Sequence, residues 1–414
     1  MKIAIVTIGS ELLNGTRLDT NSKWIAQQVL PYDKEIVSKI SVPDTSQDII
    51  NTLDYYISQS IDLIICTGGL GPTHDDVTAK TFYGYFEDTP IFDGDYWHIL
   101  RGKFEKRGYD ISNLNKSQAL KPSIGSVIPN TIGTARGLHY KKTNSQIVAL
   151  PGVPAEMKLM MKNTIVPMID GLSKQSTSFK IYRTTGIVES NLYEKLLPLI
   201  NKYPDIDIAF LPSFLGVDIR ISSKKKKDFN KINNQLFSII EDYYYAENET
   251  DLEDVVAELL ADTNLSISTA ESCTGGLIGN RLTNVSGVSN IYKGGIIAYS
   301  NQMKINLLDV KESTIIQHGA VSEQTAKEMA IGAQKKFLSD IGISTTGIAG
   351  PTGGTIEKPV GLVYIGICFK KTTKVYKFNF NLDRKTNKMI TGQAALNIIR
   401  KYLLKITVDT SNNH

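Results

Sequence analysis

The stretch Asp62-Leu-Ile-Ile-Cys-Thr-Gly-Gly-Leu-Gly-Pro-Thr73 runs from a short, wholly apolar segment straight into a glycine turn. An apolar run of that length, bounded by glycine and proline, reads as a strand buried on both faces. Working outward, residues 2–8 give a second buried-strand pattern, 22–30 a helix, 36–42 a strand and 46–57 a helix. Strand and helix alternate, which argues for a parallel sheet with helices on both faces. In such sheets ligands sit beyond the carboxyl ends of the strands. Gly9, Gly68, Gly69 and Gly71 fall at that edge, where backbone amides can be presented to an anion.

A near-echo, Thr346-Gly-Ile-Ala-Gly-Pro-Thr352, again follows a short apolar segment at 341–345. Around it strands are expected at 265–269, 295–299, 360–369 and 374–380, with helices at 276–282, 322–337 and 385–404. The middle differs: 14 of the 32 glycines lie in residues 1–172, two in 173–250 and 16 in 251–414. Strands at 179–184 and 217–222 and helices at 189–199 and 227–243 make that middle a compact α+β connector. The expected fold class is α/β, with two doubly wound three-layer α/β/α domains (1–172 and 251–414) joined by the connector at 173–250.

Composition narrows the function. Of 414 residues 41% are hydrophobic and 21% charged, and 46 basic residues nearly balance 42 acidic ones, for a net charge of +4. That fills ordinary cores and leaves no basic stripe for a nucleic acid; the run Lys224 to Lys227 reads as a solvated surface. Cys66, Cys273 and Cys368 have neither disulfide pairing nor zinc spacing. With no cleavable leader pattern and no membrane-length apolar run, a cytoplasmic protein is expected.

The chemistry concentrates in Ser268-Thr-Ala-Glu-Ser-Cys-Thr-Gly-Gly276, between a strand and the first turn of a helix. Unpaired amides at a helix start can stabilise an oxyanion or hold a phosphate, which suits Ser272 as a nucleophile. Capping of the helix by Ser272 or Thr274 is the blander reading. A serine needs a base, and His318 is the one histidine within the folded part of the third region. A lysine kept neutral by burial serves equally, and Lys304 lies just past a strand end with Tyr299 nearby, although spacing alone does not establish the dyad and a lysine there is commonly solvated. Cys273 is the rival nucleophile if the helix start lowers its pKa, or else a small buried apolar residue. In the first region, Gly71-Pro-Thr-His-Asp-Asp76 sets Asp75 and Asp76 beside a glycine loop, with Asp44 on the same sheet edge. These carboxylates either carry a divalent cation beside a diphosphate or cap the next helix.

Along essentially its whole length the chain resembles the CinA family. The N-terminal part is similar to the molybdopterin-binding fold through Gly9-Ser-Glu-Leu-Leu-Asn-Gly15, Asn21, Asp44, Thr67 to Asp76 and Leu150-Pro-Gly-Val-Pro154. The C-terminal part resembles the family through Ala270 to Gly276, Ala298-Tyr-Ser-Asn301, Gly319-Ala-Val-Ser322, Thr346 to Pro351 and Glu357-Lys-Pro-Val-Gly361. The resemblance implies a nicotinamide mononucleotide deamidase that uses no cofactor, with Ser272 as nucleophile, Lys304 as base and Tyr299 assisting. It implies a substrate neighbourhood of Glu271, Thr274, Gly275, Gly276, Asn301, Thr346, Gly347 and Arg384. For the N-terminal domain it implies an ADP-ribose pyrophosphatase dependent on a divalent metal. Its nucleotide site would comprise Gly9, Glu11, Asn21, Thr67, Gly68, Gly69, Gly71, Pro151 and Gly152, with Asp44, Asp75 and Asp76 at the metal. A homodimer is expected, because the connector must pack against something. The alternative is a non-catalytic molybdopterin- or nucleotide-binding protein acting through the N-terminal domain.

Overall fold

In the computed structural model, residues 1–32, 34–171, 178–223 and 226–411 are described. The expected boundary at 172/173 and the lysines at 224 and 225 lie outside them. The chain forms two compact units, Met1–Phe179 and Lys180–His414.

The first unit is built on a six-stranded sheet in the order Glu35–Val42, Lys2–Ile8, Leu63–Thr67, Ser145–Leu150, Gly137–Lys142, Ser126–Ile128. Side chains alternate across a strand, and Lys2–Ile8 uses both sides. Ile3 and Ile5 pack with Ile25, Val29, Met157 and Met161, whereas Ala4, Val6 and Ile8 pack with Ile49, Leu53, Tyr56 and Phe82. These two cores place helices on both faces and make the three layers. The first four strands are parallel, but Gly137–Lys142 runs antiparallel to both of its neighbours, correcting the expectation of a parallel sheet. Only Thr143 and Asn144 separate Gly137–Lys142 from Ser145–Leu150, and so short a link permits a hairpin but no crossover.

The second unit contains two sheets. Asp207–Ser213, Gly216–Ser223, Ser178–Thr184 and Tyr244–Glu247 form one, in that order. The helices Glu189–Lys202 and Lys226–Ile240 seal it through Leu192, Leu196, Leu199, Ile232 and Leu236 against Tyr182, Ile219 and Ile221. The other has the order Tyr292–Ile297, Ile267–Glu271, Ile341–Gly347, Leu362–Phe369, Thr372–Asn379. Its first three strands are parallel, and Leu362–Phe369 runs antiparallel to both of its neighbours. Helices Leu252–Asp262, Leu277–Thr283 and Arg384–Ser411 cover one face through Leu252, Val256, Leu260, Ile278, Leu396 and Leu403. Met329 and Ala333 of Glu323–Phe337 pack on Ala270 from the other. Tyr245 and Ala246 belong to the core of this second sheet, and Arg400 donates to the carbonyls of Tyr244 (2.5 Å) and Asp242 (3.3 Å). The connector therefore shares a core with the C-terminal sheet within one unit. No helix among the described residues is long and apolar enough to cross a membrane.

Candidate active site

Ser272 follows directly on the strand Ile267–Glu271, the second of the five, which lies between two parallel neighbours. Its amide donates to the Thr345 carbonyl (2.9 Å), while Ala298 donates to the Glu271 carbonyl (2.9 Å), so both neighbouring strands grip the turn. Lys304 arrives from a helix that the sequence reading did not contain, Asn301–Leu308, whose first turn is capped by Ser300. The helix turns Lys304 inward, to 2% exposure. Its Nζ lies 3.0 Å from Ser272 Oγ and donates to the Ala298 carbonyl at 3.0 Å. Burial, with no carboxylate salt bridge to it among the described residues, pushes the Lys304 pKa below its ordinary value. Burial disfavours the charged form of this lysine beside a serine hydroxyl, an arrangement that can act as a base in contact with a nucleophile.

Several expected neighbours have other tasks. Glu271 is 1% exposed, and its carboxylate accepts from the amides of Gly276 (2.9 Å), Ile278 (3.2 Å) and Gly279 (2.9 Å). Those are three of the amides at the start of Leu277–Thr283, where the sequence suggests an oxyanion or phosphate, and Glu271 already occupies these three. It and Thr274, whose buried hydroxyl pairs with that of Thr345 at 2.8 Å, do not line the cavity at Ser272. Gly275 and Gly276 shape the turn instead: both adopt left-handed backbone, at φ +61° and +91°. Burial pushes the Cys273 thiol up to about 12, so the helix start does not activate it; Cys273 is held as a thiol at neutral pH.

The cavity at Ser272, about 220 Å³, is bordered by Tyr299, Asn301, Lys304, Thr346, Gly347 and Arg384. Ala320, Val321 and Ala349 also line it; they lie in the segments 319–322 and 346–351 that carry the family resemblance, although their small apolar side chains suggest no chemistry by themselves. Arg384 donates to the Gly350 carbonyl (2.7 Å) and to the Tyr299 hydroxyl. The exposed Tyr299 thus meets Arg384 at the mouth of the cavity. Arg384 also borders a second cavity of about 710 Å³ that carries Lys385 and Lys388.

In the first unit a cavity of about 600 Å³ opens at the carboxyl ends of the parallel strands, lined by Glu11, Asn21, Thr67, Gly68, Gly69, Gly71, Pro151 and Gly152. Gly68 has φ +120°, and a Cβ there would stand 2.1 Å from the Ile8 carbonyl oxygen, so the glycine is required. Gly9 leaves room for the Glu11 carboxylate, which a Cβ would approach to 2.7 Å. Asn21 donates to Thr67 Oγ1 (3.1 Å) and to the Gly152 carbonyl (2.9 Å), while its buried Oδ1 has no partner among the described residues.

The three aspartates are not gathered. Asp44 accepts from Ser10, Asp76 accepts from the Thr73 amide (3.0 Å) and hydroxyl, and Asp75 stands exposed 3.5 Å from His74. Among the described residues no group of three His, Cys, Asp or Glu side chains could hold a metal ion. The donors therefore do not fit a metal held by the protein alone, and no reaction step is derived through one.

The same segments match known families. Residues 4–171 match the model described as "Probable molybdopterin binding domain", 179–246 the "Damage-inducible protein CinA KH domain" and 249–403 the "CinA C-terminal domain". A protein of Caldicellulosiruptor bescii named as competence-damage inducible is 39% identical over 410 residues, covering 98% of this chain and 100% of that one. A CinA-like protein of Dictyoglomus turgidum is 37% identical over 412 residues, covering 98% and 100%. The crystal structure of a competence/damage inducible protein from Agrobacterium tumefaciens is 36% identical over 36% of this chain and 94% of its own, with a TM-score of 0.35. With sequence identity running the full length of both relatives and all three segments matched in order, the chain belongs to the CinA family.

Proposed function

We propose that the C-terminal sheet carries a serine amidohydrolase that converts nicotinamide mononucleotide to nicotinate mononucleotide and ammonia. The observation that carries this reading is the buried Lys304 amine 3.0 Å from Ser272 Oγ.

In the proposed reaction Ser272 Oγ attacks the carboxamide carbon while the neutral Lys304 amine takes the hydroxyl proton. The resulting ammonium returns that proton to the departing nitrogen, the C–N bond breaks, and ammonia leaves behind an ester on Ser272. Water then attacks the ester carbon and gives a proton to Lys304, and the ester bond to Oγ breaks. Lys304 returns the proton to Oγ, and the acid is released as its carboxylate. General-base help of this kind supplies roughly 10²–10⁴-fold in rate. The Ala298 carbonyl orients the amine by taking one of its hydrogens. In this reading Arg384, held by the Gly350 carbonyl and the Tyr299 hydroxyl, meets the substrate phosphate, and Tyr299 is part of a clamp at the mouth, since its hydroxyl is engaged by Arg384. The test is ammonia release by the full chain, with nicotinamide mononucleotide against free nicotinamide. Equal turnover of both would refute the phosphate clamp, and turnover of neither would refute the amidohydrolase.

A second reading concerns the first unit, where the unpartnered Oδ1 of Asn21 asks for a donor from a ligand. A nucleotide such as ADP-ribose, or molybdopterin, supplies one through a hydroxyl or ring N–H. Glu11, Asp19, Asp76 and Glu156 face this cavity against Arg17, the one cation among the described residues that line it, so a diphosphate would have to bring its own divalent cation. Calorimetric titration of the full chain with each ligand, with and without magnesium, tests this. Binding of ADP-ribose that is unchanged by magnesium would contradict it.

A further inference from the structure

We infer that Glu271 is a positioning residue for Ser272, welding the end of the catalytic strand to the start of the following helix so that the serine hydroxyl is held toward Lys304. This inference rests on the amidohydrolase reading and deepens it.

Glu271 is the last residue of Ile267–Glu271 and immediately precedes Ser272. Its carboxylate reaches forward to Gly276, Ile278 and Gly279, closing a loop around residues 272–276. A helix start is ordinarily satisfied by a short polar side chain at the N-cap. Here the N-cap is Gly276, which has no side chain to offer. A carboxylate from the strand does that work instead, at the desolvation cost of a charge held 1% exposed. The geometry fixes both ends of a turn that contains two left-handed glycines, Gly275 and Gly276, and would otherwise be loose. Ser272 lines the cavity whereas Glu271 does not, so the carboxylate braces the turn without touching substrate. With three of the helix-start amides taken by Glu271, the side chains of Arg384, Lys385 and Lys388 are the cationic groups near the site for the anionic part of a substrate.

The test is Glu271→Gln in the full chain, an isostere whose amide N–H must face a backbone N–H. As a control, Leu260→Ala lowers stability from a buried site on Leu252–Asp262. With nicotinamide mononucleotide, kcat of Glu271→Gln should fall by about 10²-fold with KM within about threefold, while Leu260→Ala keeps kcat below its melting temperature. A kcat within about twofold of wild type would reduce Glu271 to a structural cap, and a raised KM with kcat retained would make it a substrate contact; either result overturns the inference. If the wild type releases no ammonia, the amidohydrolase reading fails separately. Labelling of Ser272 by a fluorophosphonate then decides the role of Glu271: slower labelling in Glu271→Gln supports it, and an unchanged rate overturns it.

Discussion

Lys304 Nζ stands 3.0 Å from Ser272 Oγ although 32 residues separate them, and the lysine is buried to 2% exposure. Replacing it with a methionine of similar length removes the base and fills the same space. Lys304→Met should lower kcat by about 10²–10⁴-fold. It should also raise the melting temperature at neutral pH, because a group whose burial opposes its charge is gone. Ammonia release and thermal denaturation of the same preparation check both halves.

The lowered pKa of Lys304 sets a pH dependence. Activity requires the neutral amine, so kcat/KM should rise with pH and reach its plateau at a pH below the ordinary lysine value of 10.5. Stability follows the same group with a defined sign. Between the folded-state pKa and 10.5 the unfolded chain binds the proton and the folded chain does not, so this contribution rises with pH across that window. Below the window the folded protein must hold a buried ammonium, and the contribution is at its least. Lys304→Met should lose this slope, which pH-dependent unfolding curves of the two proteins would show.

Cys273 shares the cavity with Ser272, but burial raises its thiol to about 12. Cys273→Ala should retain kcat within about threefold and lose on the order of 1 kcal/mol of stability from the vacated volume. Slow alkylation of Cys273 by iodoacetamide at pH 7, relative to a free thiol, is the companion observation. Loss of activity on alanine substitution with the fold intact would transfer the nucleophile from oxygen to sulfur.

Arg384 joins the cavity at Ser272 to the basic cavity of Lys385 and Lys388. Arg384→Ala should raise KM for nicotinamide mononucleotide by about tenfold or more, the worth of a charge-assisted bond. It should leave KM for the riboside, which lacks the phosphate, nearly unchanged. Steady-state kinetics with the two substrates separates phosphate recognition from a general defect.

Much of this arrangement is legible in the chain, for local reasons. The apolar residues 63–66 and the unbroken burial of 3–8 depend only on short-range patterning, and they place the sheet and its ligand edge. The helix Asn301–Leu308 is not legible, because its two buried positions are Lys304 and Leu308, and a lysine cannot be counted as an inward residue by pattern. The strands Asp207–Ser213 and Tyr244–Glu247 are sheet edges, one carrying Pro212 and much of it exposed, so neither shows a two-sided apolar run. The role of Glu271 is hidden for a further reason. Its partners lie five to eight residues ahead and are backbone amides, whose availability depends on the turn and not on residue type.

A nucleophilic Ser272 is tested most directly by ammonia release from nicotinamide mononucleotide with Ser272→Ala in the full chain. The hydroxyl points at a buried amine and its removal leaves the fold intact, so the variant should melt like the wild type and release ammonia at least about 10³-fold more slowly. Release at the wild-type rate from the folded variant would contradict the assignment.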